Sequence, residues 1–226
     1  MSRVLITDAS HGLGVEFARQ YAADGWEVFA VGQPGKAAVL NTFGKCVTVL
    51  PYDVTDDASL PQLTDEIGTT PLDVVIIHAA ANSGGDRFVS GITREDWTRT
   101  ISVNTFAPAK LAIALRGNLE RGAMKKLVGI SSVAASIGSG DVSAHYAFRA
   151  SKAALNSIWH TFSVEWRPRE IICLLLCPEI TPTHMTGYGY EPNPVLSVTG
   201  MRRRIAVSTL ADTGRFFSFD GSEVPW

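Results

Sequence analysis

RVLITDASHGLGVEFARQYAADGWEVFAVG, residues 3–32, is the stretch that decides the fold. An apolar run at 3–7 is followed by helically spaced apolar residues at 13–23 and by a second apolar run at 26–31. Two short apolar runs on either side of one helix are typical of a β-α-β unit with parallel strands and a right-handed crossover. The sequence therefore predicts that the chain opens with such a unit.

The same alternation of strands and helices continues along the rest of the chain. Continuous runs of Val and Ile, such as DVVII at 73–77, suit strands that are buried on both faces. We therefore predict a parallel sheet covered by helices on both sides. The predicted strands are 3–7, 26–31, 46–50, 72–78, 126–131, 171–177 and 216–219, and the predicted helices are 13–23, 35–42, 57–67, 94–118, 147–166 and 196–209.

The composition limits the class of protein. A chain of 226 residues, 46% hydrophobic and 19% charged, suits one globular α/β domain over 1–226 rather than a disordered chain. A formal net charge of -2 provides no field for nucleic acid or an anionic membrane. No apolar run approaches the length that spans a bilayer, and the N-terminus has no signal-peptide layout. We expect a cytoplasmic protein without nucleic-acid or membrane partners.

Three features that often mark function have other interpretations here. Cys46, Cys173 and Cys177 lie in apolar strand-like segments, so we predict reduced core cysteines. The run from Arg202 to Arg204 is predicted to be the solvated face of a late helix rather than a site for an anionic partner. A Pro- and Gly-rich segment after the sixth predicted strand, at about 178–195, is predicted to be a substrate lid.

Three further stretches resemble the short-chain dehydrogenase/reductase family. TDASHGLG at 7–14 is similar to the family pattern Thr-Gly-x-x-x-Gly-x-Gly, and YAFRASKAALN at 146–156 resembles the helix that carries the family signature Tyr-x-x-x-Lys. The tail GRFFSFDGSEVPW at 214–226 looks like the C-factor-like carbonyl reductase branch. The resemblance spans nearly the whole chain. It implies a Rossmann-type doubly wound parallel sheet and NADPH-dependent reduction of small ketones or aldehydes, by a monomer or a homodimer.

The resemblance also implies a cofactor site. Gly12 and Gly14 would let the backbone approach a pyrophosphate at the start of a helix. No acidic residue ends the second strand, and Gln33 stands where many NADPH-dependent relatives have an arginine, so NADP(H) is favoured over NAD. His11 and Lys36 would add positive charge for a 2′-phosphate. The full set of implied cofactor residues is Ser10, Gly12, Leu13, Gly14, Gln33, Asp53, Lys152 and Thr183.

Two acidic residues in this region each have two interpretations. Asp8 stands at the first glycine of the family pattern, where its carboxylate would repel a pyrophosphate and weaken affinity roughly tenfold or more. Alternatively, Asp8 caps the following turn and points away from the site. Asp53 matches the family aspartate that contacts adenine, or it serves only as a turn or helix-capping residue.

The catalytic residues depart from the family at one decisive position. Phe148 stands where the family has its proton-donating tyrosine, four residues before Lys152, and a phenyl ring has no acidic proton. The resemblance implies that Ser132 binds the substrate carbonyl, and that Asn104 helps to hold the lysine through a water. Tyr146 is the available substitute, but on a continuous helix it faces elsewhere, so it could serve only if the helix starts after it.

Departures from the family pattern cluster at site positions, namely Asp8, Gln33, Ile77, His78, Ala80, Phe148 and Glu179. We interpret His78 as a hydrogen-bonded structural residue and Glu179 as the one plausible new acid/base. Three hypotheses follow: a slow NADPH-dependent reductase, a pseudoenzyme used for binding or regulation, and a non-redox enzyme using Glu179, His184 or Tyr146. An engineered Tyr→Phe change is disfavoured, because it would leave the other motifs intact.

Overall fold

The computed structural model describes residues 1–33, 35, 38–56, 58–79, 81, 91–139, 144–178 and 193–226. Their strands are β1 (Arg3–Ile6), β2 (Glu27–Gly32), β3 (Val47–Pro51), β4 (Val74–Ile77), β5 (Lys126–Ile130), β6 (Ile172–Cys177) and β7 (Phe216–Ser218). These strands form one sheet in the order β3-β2-β1-β4-β5-β6-β7, and each neighbouring pair is parallel. The predicted parallel sheet is confirmed.

The described α-helices cover both faces of the sheet. They are α1 (Gly12–Ala23), α2 (Ser59–Ile67), α3 (Arg94–Ile101), α4 (Ala107–Arg121), α5 (Tyr146–Glu165) and α6 (Pro194–Val207). One buried core joins the sheet to α2, α4 and α5, and a second core joins the opposite face to α1 and α6. Alternate residues of each strand enter the two cores, as the pleat of a strand requires. This is the doubly wound arrangement that the sequence predicted.

Two predicted helices differ from the structure. The segment predicted as a helix at 35–42 contains a short 3-10 helix at Ala38–Phe43. The helix predicted at 94–118 is continuous only through a π-helical turn at Ser102–Phe106, which joins α3 to α4. Apolar spacing alone does not distinguish these hydrogen-bonding patterns, because a π turn inserts a single extra residue into an otherwise helical run.

The strand order reverses between β1 and β4, and one side chain joins the ends of these two strands. The hydroxyl of Thr7 donates to the carbonyl of His78 at 2.7 Å and accepts the main-chain N–H of His78 at 2.8 Å. Because the crossovers from β1 and β4 leave toward opposite faces, a crevice opens at this switch point. The Thr7 bridge therefore fixes the floor of the crevice.

Helix α5 reaches the sheet closely because β5 carries a glycine. A Cβ atom at Gly129 would lie 2.8 Å from Cε2 of Trp159, a fully buried residue of α5. The indole therefore needs the space that a side chain on the strand would occupy. This contact sets how far α5, with Lys152, lies from the strand ends.

The cysteine and arginine predictions are corrected in part. Cys173 and Cys177 are buried free thiols whose pKa values burial raises to about 12 and about 11, whereas Cys46 precedes β3 and is only half-buried. Of the arginine run, only Arg203 is exposed. The guanidinium of Arg202 lies 4.2 Å from the Tyr21 ring and pairs with the carboxylate of Asp24, the C-cap residue of α1. The predicted solvated face is therefore wrong for the Arg202 side chain.

Arg204 is likewise structural. Its guanidinium lies 3.8 Å from the Phe217 ring and pairs with Asp212. The predicted solvated face is therefore wrong for Arg204 as well, because these partners come from β7 and from the 3-10 helix Leu210–Asp212, outside α6. The described helices include none long and apolar enough to cross a membrane. The predicted lid lies almost wholly outside the described residues.

Gly14→Ala tests the close approach of α1 to the loop after β1. A Cβ atom at Gly14 would lie 2.1 Å from the carbonyl oxygen of Asp8, so the backbone must shift. We expect a loss of about 1–3 kcal/mol in the free energy of unfolding, measured by urea denaturation. The control, Gly117→Ala within α4, meets only Arg121 at 3.6 Å and should be neutral or stabilising. Equal effects would contradict the tight approach.

Candidate functional site

The crevice at the strand switch point is a cleft of about 500 Å³. It lies beyond the carboxyl ends of β1, β2 and β4, where open parallel sheets bind their ligands. Its lining includes Asp8, His11, Gly32, Gln33, His78 and Arg99. The sequence placed Asp8, His11, Gln33 and His78 at positions of the implied site, and the cleft brings them together.

The loop after β1 presents an uncapped helix N-terminus to the cleft. Helix α1 begins at Gly12, and its N-cap residue, His11, makes no side-chain capping hydrogen bond. The first turn of α1 contains no acidic residue. The main-chain N–H groups and the positive end of the helix dipole are therefore available to an anionic ligand. Ser10, on the same loop, also lines the cleft.

The Asp8 carboxylate lies on the cleft side of this loop. Asp8 adopts a left-handed backbone conformation with φ +52°, which aspartate tolerates better than most residues. Its Oδ1 atom is 3.2 Å from Nδ1 of His11, and its Oδ2 atom is 3.5 Å from Nδ1 of His78. Because both histidines line the cleft, the geometry favours the interpretation in which Asp8 faces the pyrophosphate region.

The main chain of His78 is hydrogen-bonded to Thr7, which gives this residue a structural role. The Nδ1 atom of its imidazole is buried and makes no hydrogen bond within the described part of the chain, so the predicted side-chain hydrogen bond is not found at that atom. Burial, with smaller effects from Lys152 and His11, lowers the pKa of His78 to about 3. The imidazole is therefore neutral at pH 7, and its approach to Asp8 is not an ion pair.

Gln33, His11 and Asp53 are the described residues that the sequence assigned to the nucleotide end of the cleft. Gln33 lines it and is exposed, whereas His11 turns its Nδ1 atom to Asp8. Asp53 accepts the N–H of Thr55 at 2.9 Å and its hydroxyl at 2.7 Å, so it has the predicted role of a turn residue. Thr55 itself lines the cleft. These contacts leave the adenine contact of Asp53 a prediction.

Lys152 is the most buried charged group of the site. Its side chain extends from α5, and the residue is only 2% exposed. Nζ donates to the carbonyls of Ala79 at 2.8 Å and Ile130 at 3.0 Å, at the ends of β4 and β5. Burial lowers the pKa of Lys152 to about 8, against the opposing effects of Asp8 and Cys177. The ammonium therefore lies close to deprotonation near neutral pH.

The ring of Phe148 lies beside this ammonium. Nζ of Lys152 is 5.9 Å from the ring centroid, so the structure brings the two predicted site residues together. Tyr146 is the first residue of α5 and is 40% exposed. Because the helix begins at Tyr146 itself, the condition under which Tyr146 could replace the missing hydroxyl is not met. The lysine thus has an aromatic neighbour without a proton to donate.

Asn104 braces the site through the π-helical turn. Its Oδ1 accepts the N–H of Ala81 at 2.7 Å, and its Nδ2 donates to the carbonyl of Ala81 at 2.8 Å and to Oγ of Ser151 at 3.0 Å. The extra residue of a π turn is often found at functional sites. These contacts connect the loop after β4 to α5 beside Lys152, while the water-mediated contact to the lysine stays a prediction.

The two serines after β5 have different partners. Ser131 donates to Oδ1 of Asn156 at 2.6 Å and is buried. Ser132 accepts the N–H of Ala134 at 3.2 Å and caps the 3-10 helix Val133–Ala135. Ser132 is only half-buried, and it lies two residues after Ile130, whose carbonyl accepts a hydrogen bond from Lys152. It is therefore placed near Lys152 at the open end of the sheet.

Sequence reasoning missed the helical wall of the cleft. Arg99, Val103 and Ala107 line it at four-residue spacing. Residues four apart share one face of a helix, so this spacing could have indicated that the three residues lie on one face. Five residues considered earlier, Lys36, Ala80, Glu179, Thr183 and His184, lie outside the described residues.

Comparisons with known proteins agree with this arrangement. The short chain dehydrogenase family model matches residues 2–193. The C-signal protein of Myxococcus xanthus is 33% identical over 158 residues, which cover 70% of this chain and 95% of that protein. The NADPH-bound carbonyl reductase from chicken fatty liver has a TM-score of 0.88 at 25% identity, with 100% and 99% coverage. A carbonyl reductase from Pseudomonas aeruginosa PAO1 in complex with NADP has a TM-score of 0.85 at 26% identity, with 100% coverage of both chains.

Lys152→Met tests the lowered pKa of the buried lysine. Since the unfolded chain binds this proton up to about pH 10 and the folded chain releases it near pH 8, wild-type stability should rise relative to the variant across that interval. We expect a relative gain of about 1 kcal/mol per pH unit in the free energy of unfolding, measured by urea denaturation at several pH values. Lys110→Met, at an exposed position of α4, should show no such trend. A pH-independent difference for Lys152→Met would contradict the shifted pKa.

Proposed function

The chain belongs to the short-chain dehydrogenase family, and we propose that it is an NADP(H)-binding oxidoreductase whose reduction of carbonyl compounds is slow. The observation that carries this proposal is the Phe148 ring beside Nζ of Lys152, at 5.9 Å. Of the catalytic residues that the family resemblance implies, Asn104, Ser132 and Lys152 are present, and Phe148 takes the position of the proton donor. The carbonyl reductases from chicken liver and Pseudomonas aeruginosa bind NADPH and NADP, which supports the choice of cofactor.

The residues of the cleft fit a dinucleotide in two respects and oppose it in one. The uncapped N-terminus of α1 suits a pyrophosphate, and Gly14 lets α1 pack closely against the loop that would hold it. The carboxylate of Asp8 adds a repulsion of roughly 1–4 kcal/mol at about 4–6 Å from a phosphate charge. The balance supports binding that is weaker than the fold alone would provide.

The reaction needs a hydride and a proton. NADPH supplies the hydride when it is bound. Lys152 would hold the ribose through its ammonium, and its contacts to the carbonyls of Ala79 and Ile130 keep that group near the strand ends. The hydroxyl of Ser132 orients the substrate carbonyl. Because Phe148 cannot donate, the proton comes from a water held between Ser132 and Lys152.

Loss of the positioned acid sets the expected rate. General acid catalysis typically contributes about 10²–10⁴ in rate, so a water in place of a tyrosine leaves a slow but measurable reaction. The lowered pKa of Lys152, about 8, makes its ammonium a better proton source for that water than an ordinary lysine would be. This supports slow reduction of a small carbonyl compound, while a cytoplasmic location and a monomeric or dimeric state stay predictions.

A pseudoenzyme used for binding or regulation is the second candidate. It is favoured by the position of Asp8, whose carboxylate faces two histidines that line the cleft. If the site no longer binds a pyrophosphate, a carboxylate in the loop after β1 is not disfavoured. The third hypothesis, a non-redox enzyme, has less support, because Tyr146 is exposed at the start of α5.

Phe148→Tyr tests the proposed function. Restoring the hydroxyl beside Lys152 should raise the rate of NADPH oxidation with a panel of small ketones and aldehydes by roughly 10²–10⁴-fold. The rate is followed by loss of NADPH absorbance at saturating cofactor, and NADPH affinity is measured by calorimetry.

Two control variants separate the hydroxyl from the ring. Phe148→Leu removes the ring without adding a donor, and Tyr146→Phe removes the neighbouring hydroxyl, so both should keep the low wild-type rate. If Phe148→Leu keeps the wild-type rate as expected but Phe148→Tyr brings no gain in rate, the proposal is contradicted. Undetectable NADPH binding by all four proteins would favour the pseudoenzyme.

A further inference from the structure

We propose that binding of the dinucleotide takes up a proton at a cluster formed by Asp8, His11 and His78, so that cofactor affinity is controlled by pH. This inference rests on the proposed function, because it concerns the same cleft. The proton comes from solvent and binds to a side chain of the cluster. No other covalent bond forms or breaks. The ligand class is a dinucleotide whose pyrophosphate lies at the start of α1.

The geometry of the cluster carries the inference. The two carboxylate oxygens of Asp8 are directed to two different imidazoles, one from the loop before α1 at 3.2 Å and one from the end of β4 at 3.5 Å. The backbone at Asp8 has φ +52°, so the loop holds the carboxylate in this position in a conformation that most residues avoid. All three residues line the cleft. A pyrophosphate at the helix N-terminus therefore meets a carboxylate with imidazoles on both sides.

The groups around the cluster define its charge before binding. From α5, the ammonium of Lys152 attracts the Asp8 carboxylate, and Cys177 of β6 lies behind that lysine as a protonated thiol. Burial keeps the imidazole of His78 neutral, since its pKa is lowered to about 3. Arg99 of α3 faces the same cleft. A pyrophosphate therefore encounters the Asp8 side chain beside a neutral His78 at neutral pH.

An added pyrophosphate changes which protonation state is favoured. Its negative charge repels the Asp8 carboxylate and favours a positive charge on an adjacent imidazole. One proton within the cluster removes the repulsion, and an imidazolium between the two anions can donate a hydrogen bond to either of them. Binding should thus be coupled to uptake of about one proton.

The sign of the pH dependence follows from this coupling. Because the bound state holds the extra proton, the affinity for the dinucleotide rises as the pH falls and decreases as the pH rises. Coupling to one proton gives a Kd that increases up to about tenfold per pH unit where the cluster titrates. The cofactor site would then respond to pH over the range in which the cluster takes up this proton.

Calorimetry of the full chain with NADPH tests the proposal. Titrations at about pH 6 and about pH 8, each in two buffers of different ionisation enthalpy, give the Kd and the number of protons taken up. The variant Asp8→Asn keeps the shape of the side chain and its tolerance of positive φ but removes the charge. We expect the wild-type Kd to rise at least tenfold from the lower to the higher pH, and the Kd of Asp8→Asn to change by much less.

The 2′-phosphate of NADPH titrates near the same range, so its contribution must be subtracted. Asp8→Asn retains that contribution, and NADH, which lacks the 2′-phosphate, provides an independent check on the wild type. Asp8→Gly, the family residue at this position, serves if Asp8→Asn does not fold.

Each outcome decides the matter. Proton uptake that is larger in the wild type than in Asp8→Asn supports the proposal. Equal uptake by both proteins overturns it and leaves the proposed function intact. Binding by Asp8→Asn at both pH values with none by the wild type also overturns it, because Asp8 then excludes the cofactor whatever the pH. Absence of binding by every protein overturns this inference and the proposed cofactor together.

Discussion

The pairing of β1 with β4 is the constraint on which the rest of the site depends. These strands are distant in sequence, and the hydroxyl of Thr7 joins their ends by accepting from and donating to the main chain of His78. With the two ends fixed, the loop after β1 and the loop after β4 open onto one cleft. Asp8 and His78, seventy residues apart along the chain, thereby come within 3.5 Å of each other.

A second consequence of the sheet is the environment of Lys152. The residue is buried where the ends of β4 and β5 present two carbonyl groups, and these accept its hydrogen bonds. Burial of an ammonium disfavours its charged form, and this lowers the pKa of Lys152 to about 8 although Asp8 opposes the shift. The fold thus places a buried lysine with a lowered pKa next to the ring of Phe148.

The fold has accommodated changes at the cleft without rearranging. Asp8 takes the backbone conformation that a glycine would adopt freely, and its neighbours accept the carboxylate through two imidazoles. Phe148 keeps the aromatic ring and with it the packing beside the lysine. The aspartate adds a charged side chain at a positive-φ position, and the phenylalanine lacks only the hydroxyl of a tyrosine. Shape governs the packing of the core, whereas charge governs what the cleft binds, so function can change while the fold persists.

The sequence by itself determined the parallel α/β sheet and all seven strands to within a few residues, because runs of apolar residues report burial directly. It also singled out Gly12, Asp8, Phe148 and Lys152 as candidate site positions, since the spacing of a motif is a local property. Only the tertiary structure decided that Asp8 turns toward His11 and His78, that Asn104 holds Ala81 and Ser151, and that Arg99 faces the cleft. Likewise, the arginines at 202 and 204 have partners from other elements rather than a solvated face. The direction of a side chain and the pKa of a group depend on neighbours that are far away in sequence, and the folded chain alone brings those neighbours together.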